Sequence, residues 1–532
     1  MRFNRIFFTL VYLGVIVLAT STAIAWWYRM SFWLFAVFLF WITIFFDGKE
    51  EPEKISRKFY LTFFYFTLAT IILVRLIPFL HFGEAPLGYD TGIYRRSFER
   101  YLVDPQEGVR PLGIVVQILY ASGFSINAIM HGFLVMLNLF LGLSLYGLSR
   151  TIFRSPMAGL AALFIFAVSI SQYEAYIWMF YRMMISITLF VVSSMLVMRG
   201  SWAAIVVGGF AGALHPATFL VFGLAYILYT LIMIARMIMF HLKDPRLIYL
   251  LGVGAGMLVV AVFANFPEFR YEMHYLVNEK LRIPTGSHYL SSELSGLYLN
   301  FRGFRFSTLF YLPFAVLGLG SIVYQLPRIW KSRETPPVLF LLSILAVSFI
   351  LIVGRMIFYE RYLIILDLVI ILLASFSLSR FISCCKIYGK GGGVLVSLFL
   401  CGFAGVIIFY STTRTSWISP SELQELKSTS ERFESNAYGM ATDAYYTPWV
   451  YGYMTRRTIA PGYFINYWSL EEWERFWYKG TDDERRELLS RYGNDPIYIF
   501  VGAKQKENKP MREFLSQYST PVSEHVWKYE AR

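Results

Sequence analysis

Charged residues are scarce in this sequence. They make up 16% of its 532 residues, while hydrophobic residues reach 57%; soluble globular proteins carry about 25% charged residues. This balance excludes an ordinary soluble globule. Cysteine is also rare, with only three in the chain, at Cys384, Cys385 and Cys401. None of them falls in the polar C-terminal part, so the sequence implies no disulfide framework there.

Long apolar runs occupy most of the chain up to residue 413. A helix needs about 20 apolar residues to span a bilayer, so these runs predict an α-helical polytopic membrane protein. Residues 111–124 are apolar but short, and we interpret them as a re-entrant or interfacial piece. About thirteen segments qualify as spans, at residues 7–26, 31–46, 59–80, 127–148, 156–172, 183–198, 202–214, 217–240, 247–264, 306–326, 337–353, 362–379 and 394–413.

The net charge of +13 comes from basic residues in short clusters between the apolar runs. This distribution argues against nucleic acid as a partner. It matches the excess of Lys and Arg in cytoplasmic loops and predicts a cytoplasmic-membrane protein with basic inner loops at 49–58, 150–154, 199, 236–246, 328–333 and 380–390. The outer loops are then 81–126, 173–182, 215–216, 265–305, 354–361 and everything after residue 413. As an alternative at the N-terminus, Ala23-Ile24-Ala25 could form a signal-peptidase site.

After residue 413 the composition becomes that of a soluble protein. Residues 1–413 therefore form the predicted transmembrane domain, and residues 414–532 the predicted extracytoplasmic α/β domain. Its amphipathic segments predict helices at 421–433, 469–478 and 482–492, and short β-rich runs predict strands at 437–442 and 497–501.

A polar island at residues 81–110 interrupts the apolar spans, and ionisable groups beside a span are costly unless they serve a site or meet water. With the other outer loops it contributes a carboxylate and several arginines. Such a set suits transfer from a lipid-linked phosphate, because a carboxylate can deprotonate an acceptor hydroxyl while arginines bind the phosphate. The candidates are Asp90 and Glu174 as catalytic carboxylates, and Tyr94, Arg95, Arg96, Arg182, His215, Arg302, Arg305, Arg355, Glu360, Arg361 and Tyr362 as substrate-binding residues.

Several candidates also have a purely structural interpretation. Asp90 lies in a glycine-flanked turn, where aspartates often bond their own backbone. Glu174 is either a second active-site carboxylate, a metal ligand or the ion-pair partner of Arg182. His215 precedes Pro216 and is expected to end a helix. There it either satisfies a backbone carbonyl or helps to hold a phosphate.

Other charged residues have similar alternatives. Arg95 and Arg96 lie on a predicted surface helix, where they are either solvated or in contact with the donor. Arg75 is expected to snorkel from its span toward the headgroups. The intramembrane Asp367 faces either a substrate cavity or a buried partner. The loop 265–305 is long enough to predict a lid, with Arg302 and Arg305 near its hinge.

Two short motifs and the general layout resemble a known family. The run Gly88-Tyr89-Asp90-Thr91-Gly92-Ile93-Tyr94 is similar to the acidic first-loop motif of the GT-C class of integral-membrane glycosyltransferases. Glu360-Arg361-Tyr362-Leu363 is similar to the Arg-Tyr-Leu that opens a late helix in that class. The resemblance implies a polyprenyl-phosphate or polyprenyl-diphosphate sugar as donor. It also implies that Asp90 is the catalytic base and that Arg361 is a phosphate ligand.

The sequence departs from the oligosaccharyltransferase branch of that class. The Trp-Trp-Asp type of motif is missing, since Tyr467-Trp468-Ser469 lacks the acid. We therefore favour a monosaccharide-transferring enzyme, with a glycan, lipid or protein as acceptor and with dependence on a divalent metal left open. Two rival functions are a surface-polysaccharide polymerase or O-antigen-type ligase, and a lipid-sugar transporter or flippase.

Overall fold

The computed structural model describes most of the chain, and the first two predicted spans and most of the 265–305 loop lie outside this part. Ala23–Ala25, Arg302, Arg305, Arg355 and the side chain of Glu360 lie outside it too. The described residues are 56–83, 88, 90–108, 110–240, 246–266, 270, 311–331, 336–354, 359–386, 389–442, 445–455, 457–461, 468–503, 505 and 508–530.

The first part of the described chain is a bundle of helices. Eight of them are long and apolar enough to cross a membrane, and a bent pair could form a ninth span. The protein is thus a multi-pass helical membrane protein, as the composition predicted. The helices are α1 (Arg57–Phe82), α2 (Thr91–Val103), α3 (Pro105–Gly108), α4 (Pro111–Ala121), α5 (Ile126–Phe153, with a π-helical turn at Ile129–Phe133), α6 (Pro156–Val168), α7 (Ile170–Ile177), α8 (Tyr181–Met198), α9 (Ala203–Leu214), α10 (Pro216–Phe240), α11 (Arg246–Ala264), α12 (Leu312–Lys331), α13 (Pro337–Val353), α14 (Tyr359–Lys386) and α15 (Gly389–Thr413).

Eleven of the expected spans lie wholly or mostly in the described part, and three of them differ from a simple membrane crossing. Helices α9 and α13 are only 12 and 17 residues long. The expected span at 156–172 is instead the pair α6 and α7, which meet at an angle of 55°. The expected outer loop at 173–182 is therefore largely helical and is reduced to a turn of three residues between α7 and α8.

The bend between α6 and α7 has a local cause at Ser169. Its backbone is extended, with φ −69° and ψ 117°, which ends α6. Its hydroxyl then accepts the backbone N–H of Gln172 at 3.1 Å and caps the start of α7. A serine that caps a new helix in this way satisfies one of the donors that every helix N-terminus leaves open.

The C-terminal part is a small α/β domain with a five-stranded sheet in the order β2-β1-β3-β5-β4. β1 pairs in parallel with β2 and β3, whereas β5 pairs antiparallel with β3 and β4. Hydrophobic clusters on both sides of the sheet form its core. The elements are α16 (Pro420–Glu431), β1 (Tyr438–Ala441), α17 (Thr447–Tyr453), β2 (Thr458–Ile459), α18 (Leu470–Glu474, followed by a π-helical turn at Arg475–Lys479), α19 (Asp482–Ser490), β3 (Ile497–Phe500), α20 (Lys509–Tyr518), β4 (Ser519–Pro521) and β5 (Val526–Tyr529).

The three helices and two strands expected in this domain are present within a few residues of their predicted positions. The helices start clearly because each has a capping box, in which Ser419, Ser469 or Thr481 exchanges hydrogen bonds with a glutamate three residues later. The sequence patterns did not indicate α17, α20, β2, β4 or β5. These elements are short. The strands β2, β4 and β5 show no strong alternation of apolar and polar residues, and they are defined by their pairing with neighbouring strands.

Candidate functional site

Asp90 stands at the N-terminal end of α2, where aspartate commonly caps a helix. Here its side chain makes no capping hydrogen bond, and its carboxylate accepts no hydrogen bond from the residues that the structure describes. The side chain is half-buried. The turn is held instead by Thr91, whose backbone N–H and hydroxyl both donate to the carbonyl of Gly88, at 3.1 and 2.6 Å. The carboxylate of Asp90 is thus not used by its own backbone.

Two glycines fix the segment that carries Asp90. Gly88 lies against the turn after α7, and a β-carbon there would overlap the carbonyl oxygen of Ile177 and the Cα of Trp178. Gly92 lies against α17 of the α/β domain, where a β-carbon would overlap the carbonyl oxygen of Pro448. Both positions need the close backbone approach that only glycine permits. The two glycines of the Gly-x-Asp-x-Gly run therefore hold the Asp90 segment against the helical bundle on one side and against the α/β domain on the other.

Arg361 lies near Asp90, although it comes from a much later part of the sequence. It opens the membrane-spanning part of α14, and its guanidinium lies over the ring of Phe180 at 5.1 Å from the centroid. Phe180 belongs to the same three-residue turn between α7 and α8 against which Gly88 lies. The structure therefore brings together two segments that lie about 270 positions apart in the sequence, and Arg361 acts electrostatically on Asp90.

Burial raises the pKa of Asp90 to about 6, and the positive charge of Arg361 partly opposes this rise. A carboxyl group with such a pKa is ionised at neutral pH but holds a proton much more readily than an ordinary aspartate. This is the balance that a general base needs, because it must both exist as carboxylate and accept a proton from a substrate.

Three further candidates, Tyr94, Arg182 and His215, lie close to this pair. The backbone N–H of Arg182 donates to the hydroxyl of Tyr94 at 3.2 Å, and its guanidinium Nε donates to the carbonyl of Leu214 at 2.8 Å. This contact ties the start of α8 to α2 and to the end of α9. The charge of Asp90 contributes, after burial, to raising the pKa of Tyr94. Tyr94 and Arg182 thus belong to the same cluster as Asp90.

His215 ends α9, as its position before Pro216 predicted. Its Nδ1 accepts the backbone N–H of Thr218 at 3.1 Å and lies 2.6 Å from the hydroxyl of the same residue. Burial and the nearby charges of Arg182 and Arg361 lower the pKa of His215. The imidazole is therefore neutral at physiological pH. Because Nδ1 accepts, Nε2 carries the proton and is the donor that this ring can offer.

The carboxylate of Glu174 pairs with Arg414 and not with Arg182. Its carboxylate accepts hydrogen bonds from Arg414 at 2.6 Å, from Trp178 Nε1 at 3.3 Å and from the hydroxyl of Tyr410. The expected pairing with Arg182 is therefore wrong, because Arg414 forms the ion pair. Since Arg414 follows α15 directly, this buried carboxylate ties the beginning of the α/β domain to α7.

Arg95 and Arg96 both form ion pairs with Glu99 on their own helix, at 3.3 and 3.2 Å. Arg95 also lies over the ring of Tyr453 of α17, at 4.5 Å from the centroid. Arg95 thus packs against the α/β domain, and Arg96 is largely buried, with 9% of its surface exposed. Tyr362 is buried with 2% of its surface exposed.

Asp367 and Arg75 lie at the bend between α6 and α7. Asp367 is completely buried and accepts hydrogen bonds from Ser169 at 2.9 Å, from Gln172 at 2.8 Å and from Tyr311. Arg75 is also completely buried and donates to the carbonyl of Ala167 at 3.0 Å. The expectation that Arg75 snorkels is wrong, because it complements the open carbonyls and negative dipole end of α6.

One group of side chains in the described part has the spacing of a metal site. Glu425, Glu524 and His525 place one ligand atom each within 4.8 Å of the others. Glu425 already accepts from Ser523 at 2.6 Å and from the backbone and ring of His525 at 3.0 Å each. The group belongs to the α/β domain and does not include Asp90.

No protein-family model matches the sequence, and no curated protein matches it at a significant level. Solved structures do match. ArnT from Cupriavidus metallidurans bound to undecaprenyl phosphate superposes with a TM-score of 0.50 at 11% identity, over 90% of this chain and 99% of that one. This chain has a GT-C-like fold. Apo ArnT gives 0.49 at 12% identity, over 89% and 98% of the two chains. Arabinofuranosyltransferase AftD from Mycobacteria gives 0.49 at 12% identity, over 90% of this chain and 40% of that one.

The structure adds residues that sequence patterns did not single out. The ring of Phe180 lies under the guanidinium of Arg361, and Thr218 holds the ring of His215 by hydrogen bonds. The carbonyl of Pro448 lies against Gly92. Of these only Thr218 left a local signal, since it follows His215 by three residues at a helix start. Arg414 lies 240 positions from Glu174, and no local pattern could have paired them in this GT-C-like fold.

Proposed function

We propose that the protein is a membrane glycosyltransferase that moves a sugar from a polyprenyl-phosphate-linked donor to a hydroxyl acceptor on the outer side of the membrane. The observation that carries the proposal is the half-buried carboxylate of Asp90, which accepts no hydrogen bond from the described residues and lies in the electrostatic field of Arg361. The GT-C-like fold, shared with an ArnT structure that holds undecaprenyl phosphate, supports a lipid-linked donor.

In the proposed reaction Asp90 accepts the proton of the acceptor hydroxyl. The acceptor oxygen forms a bond to the anomeric carbon while the bond from that carbon to the phosphate oxygen breaks. The electron pair of the broken bond leaves with the polyprenyl phosphate. Because attack comes from the side opposite the leaving phosphate, the anomeric configuration is inverted. Holding both substrates at reacting distance supplies much of the rate.

The leaving phosphate is proposed to lie beside Arg361, with its sugar toward Asp90. A guanidinium can donate two parallel hydrogen bonds to a phosphate and stabilise its charge as the bond breaks. The Nε2–H of neutral His215 is a second donor for a phosphate oxygen. Arg182 is proposed to support this region through its charge. Its Nε already donates to the carbonyl of Leu214, but its positive charge still acts on His215.

The α/β domain is proposed to face the same side as Asp90. Its helix α17 packs directly on α2 through Gly92, and the ion pair of Glu174 with Arg414 forms a second connection. The excess of basic residues in the alternate loops supports an outer location for this end of the bundle.

The proposal can be tested with the purified protein reconstituted in liposomes. Polyprenyl-phosphate sugars carrying ¹³C at the anomeric carbon would be supplied with candidate lipid, glycan and peptide acceptors. We expect release of polyprenyl phosphate and a product of inverted configuration by NMR. A donor that crosses the bilayer with its sugar–phosphate bond intact would indicate a flippase and would refute the proposal.

A further inference from the structure

The second site that the structure offers lies at the opposite end of the bundle from Asp90. Helix α8 begins at Tyr181, next to the Arg182 contact with Tyr94, and ends at Met198. Its 18 residues span about 27 Å at 1.5 Å per residue. Arg199 therefore lies near the other membrane surface, well away from the proposed transfer reaction.

A basic cavity of about 100 Å³ opens at this end between α8, α10, α11 and α13. Arg199 and Arg246 line it, together with Tyr229 and Tyr249. Both arginines are exposed. The ring of Trp202 packs edge-on against Tyr249 at 5.1 Å, and 56% of the Trp202 surface is exposed. Exposed tryptophan and tyrosine mark the headgroup level of a membrane, so this cavity lies where lipid phosphates lie.

An apolar cavity of about 260 Å³ lies between the same four helices, farther along them from Arg199. Its few polar atoms are already used within the protein. Ser193 donates to the carbonyl of Ala204 at 3.0 Å, Ser194 to that of Phe190 at 2.7 Å, and Tyr226 to that of Leu250 at 2.8 Å. The hydroxyl protons of the walls are therefore all engaged within the protein, and such largely apolar cavities accept hydrocarbon rather than water.

The two cavities adjoin, since Val197 lines both. We propose that together they bind an anionic glycerophospholipid of the leaflet opposite Asp90, with its phosphate at Arg199 and Arg246 and an acyl chain in the apolar cavity. Charge complementarity selects an anionic headgroup, and basic pockets between membrane helices on the cytoplasmic side bind such headgroups. A polyprenyl-phosphate donor is not the proposed occupant, because its phosphate belongs at Arg361 on the other side.

The structure provides variants for each half of the site. Arg199→Gln combined with Arg246→Gln removes the charge of the basic cavity, and Arg150→Gln on α5 is the matched control. Gly223→Leu fills the apolar cavity. A β-carbon at Gly223 would meet only the ring of Phe219, at 4.0 Å, so the fold should tolerate it. Gly402→Leu, where a β-carbon would meet nothing within 4 Å, is its control.

Binding would be measured on the delipidated full-length protein in detergent, by thermal shift and native mass spectrometry. The probes are dioleoyl phosphatidylglycerol and dioleoyl phosphatidylcholine. We expect phosphatidylglycerol to bind about tenfold or more tightly than phosphatidylcholine, and this preference to disappear in the double arginine variant, since each surface arginine adds about 1 kcal/mol toward an anionic lipid. Gly223→Leu should weaken both lipids, and the two controls should weaken neither.

Three results would overturn the proposal. The first is equal binding of the two lipids to the wild-type protein. The second is an equal loss in the control variants. The third is displacement of phosphatidylglycerol by undecaprenyl phosphate in a manner that Gly223→Leu abolishes, which would identify the carrier lipid as the occupant. Thermal stability of each variant without lipid would show that a loss of binding is not a loss of fold.

Discussion

Asp90 and Asp367 are two carboxylates held inside this protein in opposite ways. Asp367 is completely buried and accepts hydrogen bonds from three side chains, Ser169, Gln172 and Tyr311. Asp90 is half-buried and accepts none from the described residues, although it stands at a helix N-terminus where a capping bond would be easy to form. Donors around a carboxylate stabilise its charge and fix its position, whereas their absence leaves it reactive.

The comparison separates Asp367, whose carboxylate is held by hydrogen bonds within the protein, from Asp90, whose carboxylate we propose to take part in the transfer. Asp367 lies beside the capped start of α7, and Arg75 lies at the end of α6. The acid is therefore at the positive N-terminal end of α7, and the base is at the negative C-terminal end of α6. This arrangement stabilises a bend that the membrane would otherwise penalise. Asp90 stabilises nothing comparable, and its segment is instead held by Gly88 and Gly92. We therefore expect substitutions at the two aspartates to affect different measurements.

The largest effect on transfer is expected from Asp90→Asn. General-base catalysis contributes about 10²- to 10⁴-fold, and we expect the rate of transfer to fall by this amount. Asparagine is as good as aspartate at a helix N-terminus, so the thermal unfolding temperature should stay within about 1 °C to 2 °C of the wild type. Near-wild-type transfer by this variant would instead favour the polymerase or ligase function.

The next effect concerns pH and Arg361. In the proposed reaction Asp90 acts as a carboxylate, and its pKa is raised to about 6, so transfer should decline as the pH falls through about 6. The charge of Arg361 lowers the pKa of Asp90. Arg361→Gln should therefore move this acidic limb to a higher pH, and it should also reduce the rate about 10²-fold by removing a donor to the leaving phosphate.

The matched control for Arg361 is Arg100→Gln. Arg100 lies near the C-terminal end of α2, where it is exposed and pairs with Glu107 of α3 at 3.0 Å. Exposed ion pairs contribute little to stability. We expect its pH profile to coincide with that of the wild type. If Arg361→Gln left the acidic limb unmoved, the electrostatic link between Arg361 and Asp90 would have to be abandoned.

The membrane architecture could be predicted from sequence because span length and the basic loops are local features. The same holds for Asp90 and Arg361, whose loops the charge pattern assigned to one side. The bend at Ser169 could not be predicted, because a serine in an apolar run is a cap only if a partner such as Asp367 supports the break. The partner of Glu174 was equally hidden, since Arg414 approaches it through tertiary packing alone.

A smaller effect is expected where α17 meets α2. A β-carbon at Gly452 would overlap the backbone of Gly92, two residues after Asp90. Gly452→Ala should therefore displace Asp90 slightly and slow transfer about tenfold, since a 1 Å misplacement can cost about 10²-fold. We expect kcat to fall with KM nearly unchanged. Gly320→Ala, where a β-carbon would meet nothing within 4 Å, should leave both constants unaltered.

The smallest effect on transfer is expected from Asp367→Asn. Its amide nitrogen would face one of three donors, which leaves a buried hydrogen-bonding group unsatisfied at a cost of about 1–3 kcal/mol. We therefore expect a lower unfolding temperature in detergent, but transfer per folded molecule within about twofold of the wild type. Ser343→Ala, which loses one bond within a helix turn, should shift the unfolding temperature less. A large loss of transfer at unchanged stability would place Asp367 in the chemistry, and the contrast with Asp90 would then be lost.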